Sequence, residues 1–172
     1  MPVSHQDIAD VAQQLGRPPR GIVDVAYRCE HDIPAVVVTA PRLPDGTPFP
    51  TTFYLTCARL VADTGTLESS GLMSAMTRRL RTDVELAAAY RAAHEDYLRR
   101  RAQIASRVGT GEVGEIAGIS AGGMPTRVKC LHVLVAHALA AGPGVNPLGD
   151  ETVRLLGPCP GPMPDQDAEE DR

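Results

Sequence analysis

Tryptophan is absent from the 172 residues, and aromatic side chains make up only 3% of them. A stacking platform for single-stranded nucleic acid needs several rings along a basic groove and is not expected here. Lysine is almost absent as well. Of 17 basic residues only Lys129 is a lysine, an arginine bias that is not taken as a mark of phosphate binding. No apolar run approaches the roughly 20 residues of a bilayer span; the longest, residues 131–141, is short and carries His132 and His137. The opening Met-Pro-Val-Ser-His-Gln-Asp lacks the basic and apolar regions of a signal peptide. The expectation is a cytoplasmic protein without a membrane span. In that compartment four cysteines serve as thiols or ligands rather than as a disulfide framework.

Excess charge is also missing from most of the chain. The net charge is −4, yet the last eight residues hold five acids and one base, leaving 16 of each sign in the remainder. No overall field favours nucleic acid or an anionic membrane. With 43% apolar and 22% charged residues, the composition is that of a globular chain. The length suits one domain. We expect a single domain over residues 1–156, followed by a Pro-, Gly- and acid-rich tail over 157–172 that reads as disordered.

Ser4 is placed to cap a first helix with Ile8, Val11, Ala12 and Leu15 at helical spacing and Gly16 as its stop. Residues 21–28 alternate, 35–39 are rich in β-branched side chains, and 51–56 form a third strand-like run after the Asp45-Gly46 turn. Three strands without intervening helices make a small meander. Beyond Cys57 the pattern becomes helical: a short helix over 58–62, another over 69–80, and a long one from the Asp83 cap to about 108. Residues 109–123 hold six glycines and read as a flexible loop or lid. Pro125 then suits the first turn of a last helix, stopped by Gly142-Pro143-Gly144. The fold class expected is α+β: a small three-stranded antiparallel sheet packed against three or four helices, with an N-terminal helix.

Three groups of residues could carry chemistry. The first is a metal site. Cys29 and His31 end one strand, Cys57 ends another, and Cys130 and His132 lie near a helix start. Strand ends and helix starts can present ligands to one point, and thiolate with imidazole suits Zn²⁺, with an iron–sulfur cluster as the alternative. Cys29, His31, Cys57 and Cys130 would complete a tetrahedral site, with His132 as alternate ligand. No Cys-x-x-Cys supports it, and buried thiols also pack as small hydrophobes. On a regular helix Cys130 and His132 point about 160° apart, so Cys130 with the strand ligands is the arrangement favoured. His137 reads as a satisfied helix histidine, and Cys159 in Gly-Pro-Cys-Pro-Gly as incidental.

The second group is an anion site. Ser120, Gly122 and Gly123 precede the last helix and are followed by Arg127 and Lys129. Glycines and a helix N-terminus can cradle a phosphate or carboxylate, although the run matches neither a Walker A nor a dinucleotide motif. A loop that merely caps the helix is the plainer reading. The third group is the run Arg99-Arg100-Arg101 with Arg91 and Arg107 on the long helix. It reads as a solvated face partly balanced by Glu95 and Asp96, or as a docking surface for a partner. His94 on the same helix could orient a ligand or complete an interhelical hydrogen bond. No Ser nucleophile elbow, His-Glu-x-x-His helix or papain-like cysteine is present. Nucleophilic chemistry would need Cys57 or Cys130 to meet His94 or His132.

Residues 39–57 (Thr-Ala-Pro-Arg-Leu-Pro-Asp-Gly-Thr-Pro-Phe-Pro-Thr-Thr-Phe-Tyr-Leu-Thr-Cys), 127–137 (Arg-Val-Lys-Cys-Leu-His-Val-Leu-Val-Ala-His) and 142–150 (Gly-Pro-Gly-Val-Asn-Pro-Leu-Gly-Asp) resemble the bacterial, mainly actinobacterial family labelled domain of unknown function 501. The resemblance spans about residues 3–156 and implies no established activity. In that family the first cysteine segment often reads Arg-Cys-Pro-Cys-Gly, where this chain has Arg28-Cys29-Glu30-His31-Asp32. A histidine exchanged for cysteine suits Zn²⁺ better than an all-cysteine cluster. Cys57, Cys130 and His132 match the family pattern, whereas Ala58 stands where it usually has proline. The reading favoured is a zinc-binding protein. The alternatives are an enzyme or binding module for a phosphorylated small molecule at Ser120–Lys129, and a partner-docking protein using the arginine-rich helix.

Overall fold

The first helix forms because its end is capped from both sides. In the computed structural model, which describes residues 3–158, α1 spans His5–Leu15 and follows Ser4. The Ser4 hydroxyl accepts the Asp7 N–H at 3.1 Å, and the Asp7 carboxylate accepts the Ser4 N–H at 2.8 Å. This reciprocal pair satisfies two of the donors a helix start leaves open. Gly16, at φ 66°, ends the helix in the left-handed region. Arg28 reaches Asp7 at 2.8 Å and ties α1 to the sheet.

The sheet is an antiparallel meander in the order β1 (Ile22–Arg28), β2 (Pro34–Thr39) and β3 (Phe53–Leu55). Val25 pairs with Val37, and Val37 with Tyr54. Every residue of β2 is buried, which is why it reads as an unbroken apolar run rather than an alternating one. The long β2–β3 connection turns at Asp45-Gly46, where the Asp45 carboxylate accepts the Thr47 N–H at 3.0 Å.

Five helices follow: α2 (Ala58–Glu68), α3 (Leu72–Thr82), α4 (Val84–Val108), α5 (Leu131–Ala141) and α6 (Pro147–Leu156). Asp83 ends α3 and caps α4, accepting the Leu86 N–H at 2.9 Å. Along α4, Tyr90, Ala93, Tyr97 and Ile104 are buried at the expected 3- and 4-residue spacings. The Tyr97 hydroxyl accepts the Thr52 N–H at 2.7 Å and so fixes the start of β3. Helix α5 packs on β3, α2 and α6 and lies in the centre of the core.

Several elements differ from expectation, the first being α2, which runs on to Glu68 instead of ending near residue 62. The last apolar helix starts at Leu131, not near Pro125. Residues 121–129 bond among themselves instead: the Lys129 N–H donates to the Gly122 carbonyl at 2.7 Å and the Arg127 N–H to that of Gly123 at 3.1 Å. Helix α6 was unforeseen, yet Asn146 caps it and Pro147 opens it, both ordinary start signals. The loop over 109–123 is tied down by Arg101, which bonds the carbonyls of Ile116 and Ile119, so the expected lid is anchored rather than free. No described helix is long and apolar enough to cross a membrane. The segment expected to be a disordered tail, with Cys159, falls outside the described residues except at 157 and 158.

The α5–α6 crossing depends on Gly149. A Cβ there would collide with the Leu134 carbonyl and sit 2.8 Å from the Ala138 Cβ. Gly149→Ala should therefore destabilise the protein by about 1–3 kcal/mol through overpacking. Gly65→Ala, on α2 with open space around it, should instead stabilise it by roughly 0.5–1 kcal/mol. Urea unfolding of the two variants checks both signs.

Candidate metal centre

Cys130 stands one residue before α5, with an extended backbone at φ −152° and ψ 113°. That position changes the geometry expected of a continuous helix. With Cys130 outside the helix, its Sγ and the His132 imidazole turn to the same side. The Glu68 carboxylate joins them from α2, and one donor atom from each residue lies within 4.8 Å of the others. All three are half-buried, and they are the only such group of three among the described residues.

Glu68 is the last residue of α2, where a carboxylate faces the negative end of its own helix dipole. It gains more from the positive end of α5. Its Oε1 accepts the Leu131 N–H at 2.7 Å and lies 3.1 Å from His132 Nδ1. His132 Nε2 donates to the Val61 carbonyl at 3.0 Å. The hydrogen bond with Cys130 has the largest effect on the imidazole and raises it. Burial opposes this, the Glu68 carboxylate and Val61 carbonyl reinforce it, and the result is pushed up to about 9.

The structure thus brings together two of the five expected ligands, Cys130 and His132, and adds Glu68. Cys29, His31 and Cys57 stand outside the group. Cys29 closes β1 and is buried in the core, its N–H donating to the Ile33 carbonyl at 3.0 Å across the hairpin turn. His31 sits at the tip of that turn with its side chain 44% exposed, 3.9 Å from Glu30. Cys57 is buried and caps the opposite end of α2 from Glu68, about 16 Å away along an axis that rises 1.5 Å per residue.

The glycine-rich run has a different role in the structure from the one its composition suggests. Ser120 is buried, its hydroxyl 2.7 Å from His94 Nδ1 and donating to the Met124 carbonyl at 3.4 Å. A Cβ on Gly123, at φ 92°, would lie 2.7 Å from the Arg127 carbonyl, and one on Gly122 would lie 3.1 Å from Val133. These glycines let the loop fold onto itself and onto α5. Arg127 and Lys129 are exposed, and the N-terminus of α5 already holds the Glu68 carboxylate. His94 completes a helix-to-loop bond, and burial pushes its imidazole down.

His137, Asp96 and most of the arginine run bond within the fold. His137 is fully buried between Asp96 Oδ2 at 3.0 Å and Asn146 Nδ2 at 3.2 Å. Asn146 Oδ1 accepts the Gly149 N–H at 2.9 Å, so its Nδ2 is the donor and His137 Nδ1 the acceptor. Burial pushes His137 down, against the pull of Asp96, and the ring is neutral with its proton on Nε2. Burial alone would raise Asp96, but the hydrogen bonds from His137 and Arg100 outweigh it and hold the carboxyl low. The arginine run is divided: Arg99 and Arg100 pair with Asp96, Arg107 pairs with Asp24, and Arg101 turns inward.

Sequence reasoning missed Glu68. Its one local signal is a carboxylate at the unfavourable end of a helix, which implies a partner elsewhere. The family model described as Protein of unknown function (DUF501) matches residues 25–154. No curated protein and no solved structure matches the chain.

The raised His132 imidazole makes stability of the metal-free protein pH-dependent. Its contribution is complete below the unfolded value near 6.5 and is lost as pH rises through about 9. His132→Gln should therefore lower the urea midpoint more near pH 6 than near pH 10. Equal losses at both would contradict the ion pair with Glu68.

Proposed function

The chain belongs to the DUF501 family of proteins of unknown function, and from that premise we propose that it binds one metal ion, zinc, through Glu68, Cys130 and His132. The observation that carries this is the meeting of carboxylate, thiol and imidazole donors within 4.8 Å. Thiolate, imidazole and carboxylate are the three side-chain donors zinc takes. The surroundings support it. A zinc-bound histidine ordinarily donates its other ring N–H to a carbonyl or carboxylate, and His132 Nε2 has Val61 in that role. The Glu68 carboxylate is oriented by the Leu131 N–H.

A relay with a carboxylate on the far ring nitrogen is not formed, since Glu68 is on Nδ1 and Nε2 is held by the Val61 carbonyl. Binding zinc would displace the proton from Cys130 and one from His132. Three protein donors leave one tetrahedral position for water or a ligand, the pattern of an open site. The zinc would also join α2 to the start of α5.

The test is elemental mass spectrometry, with an absorption spectrum, on untagged protein purified anaerobically. Zinc at about one ion per chain is expected. It should be lost in Cys130→Ser and His132→Ala but retained in Cys29→Ser and Cys57→Ser. Metal-free protein in repeated preparations, or full zinc in the Cys130 and His132 variants, would overturn the reading. Iron with a visible charge-transfer band would replace zinc as the ion.

A further inference from the structure

Arg101 is the only arginine buried among the described residues, at 6% exposure. Arg20, Arg28, Arg42, Arg79, Arg99, Arg100 and Arg107 each meet a carboxylate. Arg101 meets none among the described residues. Its Nη1 donates to the Pro50 carbonyl at 3.2 Å, and its Nη2 donates to the carbonyls of Ile116, at 2.9 Å, and Ile119. Those carbonyls use three of the five N–H groups a guanidinium carries. Among the described residues no carboxylate balances the remaining positive charge. A buried charge in that state is unfavourable unless an anion joins it. Burial pushes Arg101 down from its ordinary value, yet a guanidinium stays charged at any working pH.

Beside it lies an open cleft of about 430 Å³ between α4 and residues 111–118, lined by Arg101 itself with Leu98, Ala102, Ala105, Val113 and Ile116. That volume is in the range of small-molecule sites, which are mostly apolar with a few placed polar groups. Here the apolar wall and the uncompensated cation stand together. Glu112 lines the cleft from the exposed side and makes no ion pair with Arg101.

We infer that this cleft binds a small monocarboxylic acid with an aliphatic body. The carboxylate neutralises Arg101, and the chain lies against Leu98, Ala102, Ala105, Val113 and Ile116. A single cation and apolar walls fit one negative charge on an apolar molecule better than a phosphate dianion, which would call for further donors. The site is separate from Glu68, Cys130 and His132, and either can fail without the other.

Octanoate is the probe, measured by isothermal titration calorimetry and thermal shift on the full chain. One saturable site with a raised Tm is expected. Octanol, with the same body and no charge, should bind at least about tenfold more weakly, because the charge-assisted bond to the guanidinium is lost. Acetate and inorganic phosphate should not compete at equal concentration. Substituting Arg101 would also release the Pro50, Ile116 and Ile119 carbonyls, so the decisive variant is Ala102→Leu. It sits at an exposed helix position and should fill the cleft without lowering the Tm of the unliganded protein. Glu112→Gln should tighten octanoate by removing a like charge. The inference is overturned by no saturable octanoate binding, by equal binding of octanol, by competition from phosphate, or by undiminished binding in Ala102→Leu.

Discussion

Helix α5 is apolar around its circumference: Leu131, Val133, Leu134, Val135, Ala136 and Ala138 are all buried. A helix of this kind is stable only where neighbours cover every side. Strand β3 lies against it, as do α2 and α6, and each approach has a local condition. The α6 crossing needs Gly149 to lack a side chain. The α2 contact brings the end of that helix, with Glu68, to the first N–H of α5. The rest of the fold can be understood as the set of elements required to enclose these 11 residues.

Enclosure leaves the two histidines of α5 to be satisfied from within the protein, and their partners differ in kind. His137 lies between an acceptor, Asp96, and a donor, Asn146. That pairing suits one neutral tautomer and leaves no lone pair for a ligand. His132 lies between two acceptors, the Glu68 carboxylate and the Val61 carbonyl, with a thiol beside it. That pairing favours a cation, whether the cation is a proton on the ring or a metal ion against it. Donor and acceptor balance therefore separates the structural histidine from the ligand candidate, although both lie on one apolar helix.

How much of this was legible follows from where the signals act. Helices α1 and α4 were readable to within a residue because Ser4, Gly16, Asp83 and Gly109 cap them from adjacent positions. The start of α5 was not. Glycines and Pro125 resemble a helix start, but the Tyr90 hydroxyl donates to the Arg127 carbonyl and the Val128 N–H to the Thr77 hydroxyl. Those bonds come from distant residues and hold the segment as turns. Cys130 and His132 were legible as ligands; Glu68, over 60 positions away, was not, because its reason for being there is the dipole of another helix. Grouping Cys29 and Cys57 with Cys130 assumed that strand ends converge. The hairpin instead exposes His31 at its tip, and both cysteines are buried in the core.

Helix α4 carries two buried charges, Asp96 and Arg101. Five residues apart, they project about 140° from one another around the axis and so face different neighbours. Mutual neutralisation is unavailable to them by geometry. Asp96 recruits Arg99, Arg100 and His137, and its charge is more than balanced. Among the described residues Arg101 finds only carbonyl dipoles, which complete hydrogen bonds without supplying charge. One helix thus presents a closed electrostatic account on the face toward α5 and an open one on the face toward the 109–123 loop. The anchoring of that loop and the unbalanced charge have a single origin, since the guanidinium that holds the Ile116 and Ile119 carbonyls is the one without a counter-ion.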